Sequence, residues 1–310
     1  GFVGQYLVDA LIKAGVTPVL MTRRLSSRTS ATADSCEVVD GDIGNDEAID
    51  SVLTGCDAAI YNIGILRENA KLGVTFEALQ HDGARRVIDA AQRHGVQRFL
   101  LMSANGVDAE TTRYQRTKRQ AERHLENTDL DWTIFRPSVI FGDPRGRMEF
   151  ATQLNQEVID SPLPAPLFFS GLNPTQAGQF ALSPVHVRDV ATAFAASLLR
   201  QATFRQTFHL GGPRSMTWRE ILQTIAASTG RRKPMLPVPV LGVRTAAALF
   251  DWWERFPITR EQIQMLLQGN RCGPEALSGL GITPRAFDVS TLAYLSTNSK
   301  DDASWQQNAA

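Results

Sequence analysis

The sequence predicts an α/β fold, a doubly wound parallel sheet followed by a smaller C-terminal α/β subdomain, and three observations carry that expectation. Short apolar runs alternate with longer helical patterns along the first 136 positions. Strands separated by helices cannot pair through a tight turn, so this alternation demands parallel pairing with right-handed crossovers. Gly1 and Gly4 open the first helical run, where a doubly wound sheet places its anion-binding turn. With 310 residues, 43% hydrophobic and 21% charged, the chain can bury a sizeable core, which excludes disordered and disulfide-scaffold classes.

The elements follow in order. Leu7, Ala10, Leu11 and Ala14 recur at a helical period over 5–14, and Gly15 ends the run. The apolar run 18–22 reads as a buried strand that leaves the sheet at Arg23-Arg24. Strand at 36–39, helix at 46–53, strand at 57–61, helix at 76–94, strand at 98–102, helix at 114–127 and strand at 132–135 continue the alternation. From 137 onward, prolines punctuate the pattern and the expectation is of loops and small helices lying over the sheet. Helices at 188–199, 217–228 and 259–268 and one strand at 206–210 make up the smaller subdomain. The expected division is therefore a dinucleotide-binding domain over 1–136, a substrate or cap subdomain over 137–296, and a disordered polar tail over 297–310.

Lys plus Arg and Asp plus Glu both number 32, so the chain lacks the basic excess of a nucleic-acid binder. Three scattered Cys offer neither a disulfide framework nor a zinc site, and no metal is expected. No apolar run is long enough to span a membrane. The nearest, 238–256, carries Phe250, Trp252, Trp253 and Phe256, a cluster suited either to packing on the sheet or to a lipid or protein surface.

Gly1-Phe2-Val3-Gly4 matches the last two glycines of G-x-x-G-x-x-G, so the first glycine and its strand are expected upstream of residue 1. Arg23 and Arg24 stand where dinucleotide folds distinguish a ribose hydroxyl from a 2′-phosphate, and two guanidinium groups favour NADP(H) over NAD(H). Tyr114 and Lys118 are four residues apart on one helix face, where an ammonium can lower a phenol pKa for proton transfer beside a nicotinamide. With four Tyr and five Lys in the chain, such a pair arises by chance with odds of about 6%. His186, beside a helix start, reads as structural because no second ligand shows metal spacing.

Further motifs join these: Val39-Asp-Gly-Asp42, Tyr61-Asn-Ile-Gly64, Arg98-Phe-Leu-Leu-Met-Ser103, Phe135-Arg-Pro-Ser138, Phe141-Gly142 and Val185-His-Val-Arg-Asp-Val190. Through almost its whole length to about residue 295 the chain resembles an atypical, extended member of the short-chain dehydrogenase/reductase superfamily, with a Rossmann fold. Residues 65–69 and 258–265 are similar to bacterial relatives of the accessory subunit of respiratory complex I that shares this fold. The resemblance implies that Asp42 lies near the adenine, and Asn62 and Gly64 beside the ribose and phosphates. It likewise implies that Ser103 faces the nicotinamide, that Lys118 bonds its ribose, and that Pro137 and Ser138 touch its far end. The catalytic set it implies is Tyr114, Lys118 and Ser103, but with departures: Ala104 stands where the family has a Ser or Thr, and Gln80 replaces an Asn.

Two functions follow as expectations. One is an NADP(H)-dependent oxidoreductase or epimerase acting on an unidentified small molecule. The other is a non-catalytic NADP(H)-binding accessory or assembly protein of a respiratory or membrane complex, attached peripherally. Both place it in the cytoplasm or on the cytoplasmic side of a membrane.

Overall fold

The computed structural model describes residues 1–23, 36–169, 171, 173–240 and 260–298. Arg24, the aromatic stretch 250–256 and the tail from 299 lie outside the described residues.

The Rossmann-like parallel sheet is present in two parts. One pairs β1 (Val19–Thr22) with β2 (Glu37–Asp40), and the other runs in the order β10-β5-β4-β3. Its strands are β3 (Ala58–Tyr61), β4 (Arg98–Met102), β5 (Asp131–Pro137) and β10 (Gln206–Leu210), all parallel. β4 is buried along its whole length, which explains why its sequence is an apolar run rather than an alternation.

Helices cover both faces. On one side α2 (Asp46–Leu53), α3 (Gly83–Arg93) and α4 (Arg113–Glu126) bury Ile49, Ile88 and Leu125 against Phe99 and Ile134. On the other, α1 (Phe2–Lys13) packs on α6 (Val187–Ser197), and Leu7, Leu11, Val190 and Phe194 meet Leu100 and Phe135. Leu100 and Leu101, adjacent on β4, thus serve opposite cores.

The expected helix at 76–94 is in two registers, a π turn over Glu77–Asp82 continuing into α3. The segment expected as loops is more ordered than its prolines indicated. It contains α5 (Phe150–Leu154) and the pairs β6 (Ile140–Phe141) with β9 (Val185–His186), β7 (Ala165–Phe169) with β12 (Met235–Pro239), and β8 (Ala181–Leu182) with β11 (Met216–Thr217). With α7 (Trp218–Ser228) these form a third core around Phe141, Leu167, Trp218 and Ile221. Two short helices, Tyr294–Asn298 and Glu275–Gly279, follow Arg260–Gln268 near the C-terminus. Among the described residues no helix is long and apolar enough to cross a membrane.

Candidate functional site

α4 begins with a capping box: the Thr112 hydroxyl accepts from the Gln115 backbone N–H (3.2 Å), and the Gln115 side-chain carbonyl accepts from the Thr112 N–H (3.1 Å). That start fixes the rotation of the helix and so the face carrying Tyr114 and Lys118. Lys118 is only 4% exposed, and its Nζ donates to the carbonyls of Met102 (2.9 Å) and Ile63 (3.2 Å). The ammonium therefore clasps the carboxyl ends of β4 and β3 together. Burial pulls its pKa down to about 8, against the opposing pull of Glu122. Gly64 lets this happen, since a methyl group there would lie 3.3 Å from Nζ.

Ser103 follows Met102 directly. Its N–H continues the ladder to Phe135 (2.8 Å), while its hydroxyl is buried and bonds nothing. Tyr114 is half-buried, with Phe76 edge-on at 5.7 Å. Burial alone pushes its pKa up to about 12, opposite to the direction the Tyr-Lys spacing led us to expect. The reason is geometric: the Lys118 ammonium is engaged by backbone carbonyls. Gln80 is similarly committed, its amide donating to Ile65 (2.8 Å) and its carbonyl accepting from the Thr117 hydroxyl (3.1 Å). It ties the loop after β3 to α4.

At the other end of the site, Gly1 is the N-cap of α1, with no side-chain hydrogen bond closing the helix. Phe2 and Val3 turn partly into the core beside α6. A methyl on Gly4 would sit 3.5 Å from the Asn62 amide nitrogen, so the turn and the end of β3 adjoin. Arg23, at the end of β1, pairs with Asp42 beyond β2 at 3.7 Å, both side chains well exposed. The second Asp42 oxygen accepts from the Gly44 N–H (2.9 Å).

Pro137 and Ser138 close β5. The Pro137 carbonyl accepts from the Asn105 N–H (2.9 Å), and the Ser138 hydroxyl donates to the Asn270 carbonyl (3.0 Å) while accepting from the Ser183 N–H (3.2 Å). Asn105 carries the contact outward: its amide donates to the Asn270 side chain (2.7 Å) and to the Arg271 carbonyl (3.1 Å), and its oxygen faces His209 Nδ1 (2.7 Å). Asn105, His209 and Asn270 were not singled out from sequence. Asn105 lies more than 100 positions from each of the other two, and only its place just beyond a strand offered a signal.

Arg23, Asp42, Asn62, Gly64, Ser103 and Ser138 thus follow the carboxyl ends of five successive parallel strands, where doubly wound sheets hold ligands. A dinucleotide fits this row: an uncapped glycine-opened helix start for its phosphates, and an orphaned serine hydroxyl with a buried ammonium at the far end.

The NAD(P)H-binding family model matches residues 1–161. The ceramide reductase of Caulobacter vibrioides is 28% identical over 260 residues, spanning 82% of this chain and 75% of that protein. The 40 kDa subunit of mitochondrial NADH-ubiquinone oxidoreductase from Neurospora crassa is 26% identical over 306 residues, spanning 95% and 76%. The solved UDP-glucose 4-epimerase of Thermus thermophilus, in complex with NAD, superposes with a TM-score of 0.70 at 16% identity over 97% of each chain. The chain belongs to the NAD(P)H-binding family, with a Rossmann fold of the extended short-chain dehydrogenase/reductase type and relatives that include respiratory complex I subunits.

Proposed function

We propose that the protein is an NADP(H)-dependent oxidoreductase that reduces a carbonyl, with the cofactor on residues 1–136 and the substrate under 137–296. The observation that carries this reading is the buried Lys118 ammonium gripping the Met102 carbonyl, with the unbonded Ser103 hydroxyl one residue beyond. A buried hydroxyl without a partner costs about 1–3 kcal/mol, a cost that a bound ligand's oxygen would remove. The bound nicotinamide would supply hydride to the carbonyl carbon. Tyr114 gives its hydroxyl proton to the carbonyl oxygen, yielding an alcohol, and solvent restores the proton. Because burial keeps the phenol protonated through the neutral range, Tyr114 is loaded as an acid, which favours reduction over oxidation. Lys118 holds the nicotinamide ribose through the one N–H that its two carbonyl bonds leave over, and Ser103 donates to the substrate oxygen.

Arg23 supports NADP(H), and Arg24 continues the basic pair in sequence. The exposed Arg23–Asp42 pair is worth at most about 1 kcal/mol, so a 2′-phosphate displaces it at small cost. A second reading rests on a specific departure. With Gln80 committed to Ile65 and Thr117, and Ala104 lacking a hydroxyl, the family's donor set is incomplete, as suits a cofactor-binding accessory protein on a membrane-bound respiratory complex. That role would place it at the cytoplasmic face of a membrane, the first role in the cytoplasm.

Tyr114→Phe separates the two. Reduction predicts a loss of turnover on the order of a hundredfold or more with NADPH affinity held within about threefold; turnover equal to the parent's sinks the catalytic assignment. Arg23→Ala should weaken NADPH on the order of tenfold and leave NADH nearly unchanged. Equal losses for both would refute phosphate recognition.

A further inference from the structure

The helix Arg260–Gln268 and Asn270 beyond it lie against the start of α4 and the end of β5. Glu261 accepts from the Arg113 N–H (3.2 Å), beside Tyr114. Gln268 accepts from the Gln115 amide (3.0 Å) and donates to the Thr111 hydroxyl (2.7 Å). Two residues on, Asn270 holds Ser138 and Asn105. Between these contacts Leu267 forms one wall of a cavity of about 410 Å³, whose other described walls are Phe168, Phe169, Phe180, Gln176 and Gln179.

We propose that this cavity is the substrate compartment and that it takes an uncharged carbonyl compound with a long apolar tail. The inference rests on the reductase reading and adds the substrate class. Three points carry it. The volume falls within the range of about 300–1,000 Å³ usual for small-molecule sites. Four of the six lining side chains are apolar, two are neutral amides and none is charged. A nucleotide diphosphate seated there would meet no cation among the described lining residues, a cost that an apolar chain does not incur.

The walls are also built in advance. Phe168 and Phe180 both stack on Trp218, with ring centroids 6.3 and 5.6 Å away, and the indole N–H donates to the Pro166 carbonyl (2.9 Å). A rigid aromatic wall loses little freedom when a flexible chain lies against it. The two amides supply hydrogen bonds for a hydroxyl or amide on the substrate without selecting for charge.

The test is calorimetric titration of the intact protein, saturated with NADPH, with 2-alkanones from 2-hexanone to 2-dodecanone, and with UDP-glucose as the anionic probe. Affinity should rise roughly three- to fourfold for each methylene added until the cavity is filled. Leu267→Asp should weaken 2-dodecanone on the order of tenfold or more while leaving NADPH within about twofold. If that variant does not fold, Gln179→Leu, at an exposed position, should tighten 2-dodecanone and not 2-hexanone. NADPH binding with no dependence on chain length, or UDP-glucose binding more tightly than the alkanones, overturns the substrate class alone. Failure of the protein to bind NADPH overturns the reductase reading beneath it.

Discussion

His186 shows how a single side chain outside the site makes the fold sensitive to acid. It caps α6 through Nδ1, which accepts from the Arg188 N–H (3.1 Å), and lies edge-on to Phe141 at 5.1 Å. Burial, then the guanidinium groups of Arg285 and Arg188, pulls its pKa down to about 4. The unfolded chain binds a proton near its ordinary value of about 6.5 and the folded one does not. The stability this residue provides is therefore complete above that value and is lost as pH falls towards about 4. The loss is at most about 3 kcal/mol, and Asn also caps helices but does not titrate. We expect His186→Asn to flatten the fall in urea midpoint between pH 7 and pH 5; an unchanged slope would assign that fall to other groups.

At the scale of elements, the π turn at Glu77–Asp82 explains an otherwise misplaced glycine. Gly83 begins α3 with ordinary helical φ, where Ala would be favoured by about 1 kcal/mol on propensity. A methyl at Gly83 would instead meet the Ile43 side chain at 2.3 Å, the Tyr61 hydroxyl at 2.6 Å and the Ala78 carbonyl at 3.2 Å. Tyr61 cannot yield freely, because its hydroxyl donates to the Leu79 carbonyl within the π turn (2.5 Å). Overpacking costs about 1–3 kcal/mol, so it outweighs the propensity gain. Gly83→Ala should lower the unfolding midpoint, and a rise would show that the contact relaxes freely. The 3.6-residue period at 76–94 was legible, but the added residue of the π turn was not, since one inserted position leaves the apolar stripe nearly intact. The β7–β12 pair escaped for another reason. Pro166, Pro237 and Pro239 read as strand breakers, yet among the described residues this ribbon has two strands, so each strand has an edge without a described partner where a missing N–H costs little. The two-residue strands β6, β8, β9 and β11 are too short to show any alternation.

Across the whole molecule, what was legible follows the parallel sheet, because burial on both faces writes itself into apolar runs and helical periods. Lys118 stood out because lysine is scarce, and Gly64 because the turn after β3 has its own pattern. The Asn105–His209–Asn270 contacts were not legible, since they join segments that only the folded chain brings together. Arg98 belongs to the same class at the opposite end of the strands. It begins β4, is 6% exposed, and donates to the carbonyls of Leu198 (3.0 Å), Asp131 (2.5 Å) and Ser197 (2.8 Å) and to the hydroxyls of Thr133 (2.7 Å) and Thr203 (3.2 Å). Its guanidinium also lies 4.5 Å over the Phe204 ring. One side chain thus joins β4 and β5 to the end of α6 and the turn leading to β10, and its charge offsets the negative end of the α6 dipole. Burial lowers its pKa to about 10, so it stays charged through the neutral range. Lysine cannot replace this fork, because a point charge with three donors does not reach five acceptors. Arg98→Met would leave several buried carbonyls unpaired at about 1–3 kcal/mol each, and we expect a loss of about 3 kcal/mol or more in urea unfolding, with a smaller loss for Arg98→Lys. NADPH affinity of the folded variant should stay within about twofold, because the cofactor row lies at the carboxyl ends of the strands and Arg98 at the amino ends. A fall in affinity that tracks the fall in stability would instead show that the two ends of the sheet are coupled.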